Sequence, residues 1–180
     1  MGCGGSNAKV IDKLIPTNPD WKFSDSIKVE DNRIVQYKDH GSLSSCVGKN
    51  VITSISVKMM PSQSYLFVGL MELNASKSYT INSDGVMKNA GVYGLGMKQD
   101  EVIMNGVTTH YKRPTINNNE TIELKYQNDR IMFKIKNEWD LLYVVGEGKQ
   151  FVFVCEMCHL HSRVEILDTN KELLTGTPPK

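Results

Sequence analysis

From Trp21 to Asp168 the hydrophobic positions recur mainly at every second residue, the repeat of a strand whose alternate side chains face a core. Val51, Thr53, Ile55, Val57 and Met59 alternate with Ile52, Ser54, Ser56 and Lys58, which predicts a half-buried strand over 51–59. Tyr65-Leu66-Phe67-Val68-Gly69-Leu70-Met71 is apolar at both phases, as in a mid-sheet strand covered on two sides. Ile122, Leu124 and Tyr126, then the turn residues Gln127-Asn128-Asp129, then Ile131, Phe133 and Ile135 predict a hairpin. Ile27-Lys28-Val29 and Ile34-Val35-Gln36-Tyr37, flanking Glu30-Asp31-Asn32-Arg33, predict a second. Leu141 to Val145, Phe151 to Val154 and Arg163 to Leu167 add three short β-rich runs, the first two separated by Gly146-Glu147-Gly148.

The helical repeat is confined to Ala8-Lys9-Val10-Ile11-Asp12-Lys13-Leu14-Ile15, where Val10, Ile11, Leu14 and Ile15 share one side and Pro16 ends the pattern. This short helix has two open roles, lying in a lipid headgroup layer or docking on the domain. The rest reads as an all-β fold, an antiparallel two-sheet β-sandwich that hides two sheet faces against each other. Residues 20–168 form the sandwich, 1–19 a leading segment with the short helix, and 169–180 a C-terminal tail.

The order of these segments resembles a SPRY domain, a concanavalin-like jelly-roll sandwich used for protein recognition. Tyr65-Leu66-Phe67-Val68-Gly69-Leu70 is similar to that family's strand ending in glycine, and Tyr79-Thr80-Ile81-Asn82-Ser83-Asp84-Gly85 to its Ser-Asp-Gly turn. The run from Glu120 to Asn137 resembles the late hairpin, with Lys136-Asn137-Glu138 where the family has Lys-Asn-Gly. Arg163-Val164-Glu165-Ile166-Leu167 resembles the closing strand. The resemblance implies a non-enzymatic module that reads a protein partner through one loop edge.

Charge and composition narrow the alternatives. Lys and Arg total 21 against 20 Asp and Glu, so there is no excess to drive counterion release, and nucleic acid is not an expected partner. No apolar run reaches the roughly 20 residues a membrane-spanning helix needs, and no secretory pattern opens the chain. Cys3, Cys46, Cys155 and Cys158 are therefore expected as thiols in a reducing compartment.

Met1-Gly2-Cys3-Gly4-Gly5-Ser6 matches a different signal. Gly2 with Ser6 fits N-myristoylation, and Cys3 offers a thiol for palmitoylation. One acyl chain holds only marginally, so the pair Gly2 and Cys3 predicts a stable peripheral anchor on the cytoplasmic face of a membrane.

Four further motifs carry candidate chemistry. Cys155-Glu156-Met157-Cys158-His159-Leu160-His161 contains the Cys-x-x-Cys-His of haem attachment and enough ligands for zinc. A regular strand sends Cys155 and Cys158 to opposite faces, so the run is expected to be structural, with Cys155, Cys158, His159 and His161 the ligands of the alternative reading. Glu120 and Glu123 are three apart, which on a strand separates a glycosidase-like carboxylate pair. Gly94-Leu95-Gly96 lacks the third glycine and the setting of a dinucleotide site. No catalytic residue and no cofactor is expected. Tyr79, Tyr93, Tyr111 and Trp139 fall in or beside predicted loops, and the expected recognition site groups Ser83, Asp84, Gly85, Tyr93 and Trp139. A subunit buried in a larger assembly is the rival reading.

Overall fold

The computed structural model describes residues 21–30, 33–38, 43–62, 65–81, 85–97 and 101–170. The predicted helix of residues 8–15, the acylation signal at Gly2 and Cys3, and Ser83 and Asp84 lie outside them. The chain runs through β1 (Trp21–Phe23), β2 (Ile27–Glu30), β3 (Arg33–Gln36), β4 (Ser44–Ile52), β5 (Ser54–Met60) and β6 (Leu66–Glu72). A single short helix among the described residues, α1 (Leu73–Ser78), follows. Then come β7 (Val92–Gly96), β8 (Glu101–Met104), β9 (Val107–His110), β10 (Thr121–Gln127), β11 (Arg130–Ile135) and β12 (Glu138–Val144). β13 (Phe151–Met157) and β14 (Arg163–Asn170) are the last strands among the described residues.

These strands build two antiparallel seven-stranded sheets, ordered β1-β4-β13-β6-β7-β8-β9 and β12-β11-β10-β5-β14-β3-β2. The inner faces meet in a core that includes Val68, Leu70, Leu95 and Phe153 of the first sheet and Val57, Ile122, Phe133 and Val164 of the second. The expected antiparallel sandwich is present.

The apolar run at 65–71 behaves as its pattern predicts: β6 is the middle strand of its sheet and is buried on both faces. Its outward residues Phe67 and Met71 join Val152, Val154 and Ile103 in a second cluster, roofed by Leu73 and Ala75 of α1 and by Tyr79, Ile81, Val86 and Met87. Both predicted hairpins form, β10 with β11 and β2 with β3. The strand predicted over 51–59 is two strands. β4 ends at Ile52 in the first sheet and β5 begins at Ser54 in the second, so Thr53 is a corner between sheets. The phase slips at the corner, since Ile52 and then Ile55, Val57 and Met59 are buried while Val51 and Thr53 are half-buried, and apolar side chains at both 51 and 52 hide the slip in the hydrophobic pattern.

Three hairpins turn on two residues, both at positive φ: Asn105-Gly106 (55° and 78°), Asn128-Asp129 (49° and 66°) and Lys136-Asn137 (53° and 69°). Such turns match the twist of the strands they join. Lys136-Asn137 makes the turn without glycine, and Glu138 is already paired with Ile135.

Gly69 and Gly94 stand opposite each other on β6 and β7. Their missing side chains make room for the Phe67 ring, since a Cβ would sit 2.7 Å from Phe67 Cζ at Gly69 and 2.8 Å from Phe67 Cε2 at Gly94. Gly94→Val should therefore destabilise the domain by about 2 kcal/mol through overpacking, read as a lower urea midpoint with unchanged slope.

Candidate functional site

Each predicted site residue occupies a definite place, and the places do not coincide. Gly85, with φ of 79°, lies on the outer face of the first sheet against the carboxylate of Glu156. Glu156 is fully buried, accepts from the Met87 amide at 3.2 Å and receives the Tyr65 hydroxyl at its other oxygen. The Val86 amide donates to Ser45 Oγ at 3.1 Å. Burial pushes the Glu156 carboxyl up, against the pull of these donors, and burial beside Glu156 raises the Tyr65 phenol. Side chains of β4 and β13 and the phenol of Tyr65 just before β6 thus pin the turn at Gly85–Met87 over the sheet. Glu156 was hidden in the sequence by its cysteine and histidine neighbours. The available signal was a lone acid in the otherwise apolar run Phe151-Val152-Phe153-Val154-Cys155-Glu156-Met157.

Tyr93 is not a loop residue. It sits in β7, 4% exposed, with its ring 5.2 Å from Tyr143 and 6.2 Å from Phe151. Only its hydroxyl reaches the rim, donating to Glu72 Oε1 at 3.3 Å, while Lys149 holds Glu72 Oε2 at 2.7 Å. Burial, and then the Glu72 charge, push the Tyr93 phenol up to about 12. Gly94, which follows Tyr93, serves strand packing. Tyr79 is likewise buried, in the roof over the first sheet.

Trp139 is exposed, but on a strand. The two-residue turn at Lys136-Asn137 places it in β12, on the outer face of the second sheet opposite Lys134. Its ring lies beneath Lys125 Nζ at 4.2 Å and Lys134 Nζ at 5.7 Å, a pair of cation–π contacts. Gly85 and Trp139 therefore stand on opposite outer faces with Tyr93 in the core between them, and they do not form one surface.

What the structure does bring together is an apolar edge. Trp139, Leu141, Tyr143 and Val144 of β12 are 38%, 41%, 37% and 52% exposed, and Val107 of β9 and Tyr111 just beyond it are 63% and 37% exposed. β9 and β12 end the two sheets, β12 packs on β7 and β8, and Tyr111 Oη donates to Asp140 Oδ2 at 3.2 Å. Of the exposed large hydrophobic side chains among the described residues, Tyr37 alone lies elsewhere. The β-rich run expected over Leu141 to Val145 begins at Glu138 instead, which puts Trp139 on the strand.

The Cys155–His161 run divides at the end of β13. Cys155 is buried opposite Cys46 of β4, and burial raises the Cys46 thiol. Cys158, His159 and His161 belong to the turn leading to β14, where the His161 amide donates to Gln36 O at 2.8 Å. Among the described residues no three His, Cys, Asp or Glu side chains are grouped to hold a metal ion. The carboxylates weighed for glycosidase chemistry are separated too. Glu120 accepts from Asn117 N–H at 2.7 Å, whereas Glu123 pairs with Lys134 on the outer face.

No protein-family model matches the chain, and no curated protein matches it. Solved structures do. The SPRY domain of human HERC1 superposes with a TM-score of 0.60 at 11% identity, over 87% of this chain and 98% of that one. The fold is that of a SPRY domain. The NEUZ (NHR) domain of Neuralized from Drosophila melanogaster gives a TM-score of 0.55 at 10% identity, over 85% of this chain and 94% of that one. A native glycosidic hydrolase gives 0.51 at 9% identity, covering 83% and 88% respectively. At these identities the SPRY-like likeness speaks for the fold.

Two expected outcomes separate packing residues from surface ones. Tyr93→Ala should cost about 3–5 kcal/mol of stability, and Trp139→Ala less than about 1 kcal/mol, measured by urea unfolding of the two variants side by side. Glu156 titrates above its ordinary value of 4.5 in the fold, so the folded state binds more protons than the unfolded chain just above that pH. Its contribution to stability is full below pH 4.5 and is lost as pH rises through the folded pKa; this fall should be absent from the stability–pH curve of Glu156→Gln and so appear in the difference between the two curves.

Proposed function

We propose that this chain is a non-enzymatic protein-interaction module that binds a segment of another protein at the β9/β12 edge of its SPRY-like sandwich. The observation that carries this reading is the gathering of Trp139, Leu141, Tyr143, Val144, Tyr111 and Val107 at one edge, exposed although among the described residues the other large apolar side chains apart from Tyr37 are buried or half-buried. Exposed apolar area of this kind costs solubility unless a partner covers it, and Trp and Tyr are the side chains that most often anchor such contacts. The SPRY-like fold supports the same role. Catalysis has no comparable support, since Glu120, Glu123 and Glu156 are each committed to a different structural contact.

The sequence adds a location. Acylation of Gly2 and Cys3 would hold the module on the cytoplasmic face of a membrane and present its edge to partners there. In cell fractionation Gly2→Ala should move the protein to the soluble fraction, and Cys3→Ser should weaken its retention. Proximity labelling with wild type, Gly2→Ala and Trp139→Ala tests both halves together. Loss of neighbours in Trp139→Ala without loss of the membrane fraction supports recognition at the edge. A labelling pattern unchanged by Trp139→Ala, or full membrane retention of Gly2→Ala, overturns the corresponding half.

A further inference from the structure

We infer that the segment recognised at the β9/β12 edge is acidic as well as apolar, and that it lies across the side chains of β12 instead of joining the sheet as an extra strand. This inference rests on the protein-recognition reading above and specifies the partner's chemistry.

The backbone of the edge is already occupied. A free edge strand ordinarily offers its amides and carbonyls to an incoming strand. Here the Leu141 amide donates to Asp140 Oδ1 at 2.8 Å, and Asp140 is fixed in turn by the Tyr111 hydroxyl on its other oxygen. The ladder also slips at the next residue: Ile131 pairs with Tyr143 and Met132 with Leu141, leaving Leu142 as a bulge. A strand added to β12 would meet a plugged amide and then a kink. The side chains, by contrast, are accessible, with Trp139 and Leu141 projecting on the same face as Lys134 and Met132.

Charge selects among possible occupants. Lys125 stands over the Trp139 ring, and among the described residues neither it nor Lys112 or Lys136 has a carboxylate within ion-pair distance. Lys134 is already paired with Glu123. Glu138 and Asp140 of β12 also lack such a pair, so Lys112, Lys125 and Lys136 outnumber the acids of β12 by three to two. A carboxylate placed beside the Trp139 ring would complete the Lys125 charge while its neighbouring apolar side chain covered Leu141 and Val144. The exposed apolar area, on the order of 400 Å², is about half of the roughly 800 Å² each partner contributes to a standard stable interface. A short segment fits that area better than a second copy of this chain, which would also bring the same lysines together. An anionic membrane would meet the same lysines and is the competing outcome of the test.

The test is a titration of the full-length, isotope-labelled chain followed by amide and indole NMR shifts. The probes are synthetic peptides with a Leu-Trp-Leu centre flanked by glutamates, the same centre flanked by lysines, and a serine centre flanked by glutamates. Vesicles of phosphatidylcholine with phosphatidylserine form a further arm. The glutamate-flanked apolar peptide should shift Trp139, Leu141, Val144 and Tyr111 saturably and bind at least about tenfold more tightly than the other two peptides. Lys125→Glu should reverse the preference between glutamate and lysine flanks, and Leu141→Asp should abolish binding while the remaining spectrum keeps its dispersion. Equal affinity for both flanks, shifts confined to Gly85–Met87, binding to vesicles alone, or no shift with any probe would each overturn the inference. Should proximity labelling still depend on Trp139 in those cases, the protein-recognition reading stands and only the partner's chemistry is wrong.

Discussion

The first sheet is apolar on both faces, and that imposes the central constraint on this structure: its outer face must be covered by the chain itself. β6 and β13 lie side by side at the middle of the sheet and leave no polar face toward water. The cover is made by Leu73, Ala75, Tyr79, Ile81, Val86 and Met87, whose side chains close over Phe67, Met71, Val152 and Val154. Two devices make the cover fit. The Gly69–Gly94 pair lets Phe67 lie flat on the strands, and the buried Glu156 and Ser45 receive the amides of the returning chain. A buried carboxylate is tolerable here because every oxygen is met by a donor.

With the first sheet roofed, exposure is left to the second. Its outer face carries the alternation expected of a sheet facing water, with Ser54, Ser56 and Lys58 of β5 and Glu123 and Lys125 of β10 standing outward. β12 breaks that alternation by putting Trp139 and Leu141 where its neighbours place charge. The departure from the rule is concentrated at one edge, beside the end of the other sheet.

Much of the sandwich was legible because burial on one or both faces leaves a period of two or an unbroken apolar run. β6 and the β10–β11 hairpin follow directly from it. What the pattern cannot carry is a change of partner: at Thr53 the chain passes from one sheet to the other and the buried phase slips by one residue, masked by the apolar pair Val51-Ile52. In Tyr93-Gly94-Leu95-Gly96 glycine supplies space for strand packing, and Tyr93, expected in or beside a loop, lies in the core. Trp139 was rightly expected to be exposed, but its strand was missed because Lys136-Asn137 turns the chain in two residues without the glycine that usually announces such a turn. The Glu156 clamp joins residues distant in sequence, and only the fold brings them together.

The three two-residue hairpins also divide the chain by the entropy of closing it. β8–β9, β10–β11 and β11–β12 join near neighbours, and such loops close at little cost. The β4–β13 ladder, in which Cys46 meets Cys155, must instead draw together the first and last parts of the domain, and so must β14 with β3 and β5. Contacts of that separation are the slow ones to make. The edge strands β9 and β12 therefore belong to the locally assembled part of the molecule, while the double-faced centre waits for the chain ends. During folding the exposed aromatic side chains of β12 stand ready before the core that supports them has closed, which gives the bulge at Leu142 and the plugged amide at Leu141 a second use: they deny a misfolding neighbour a strand to copy.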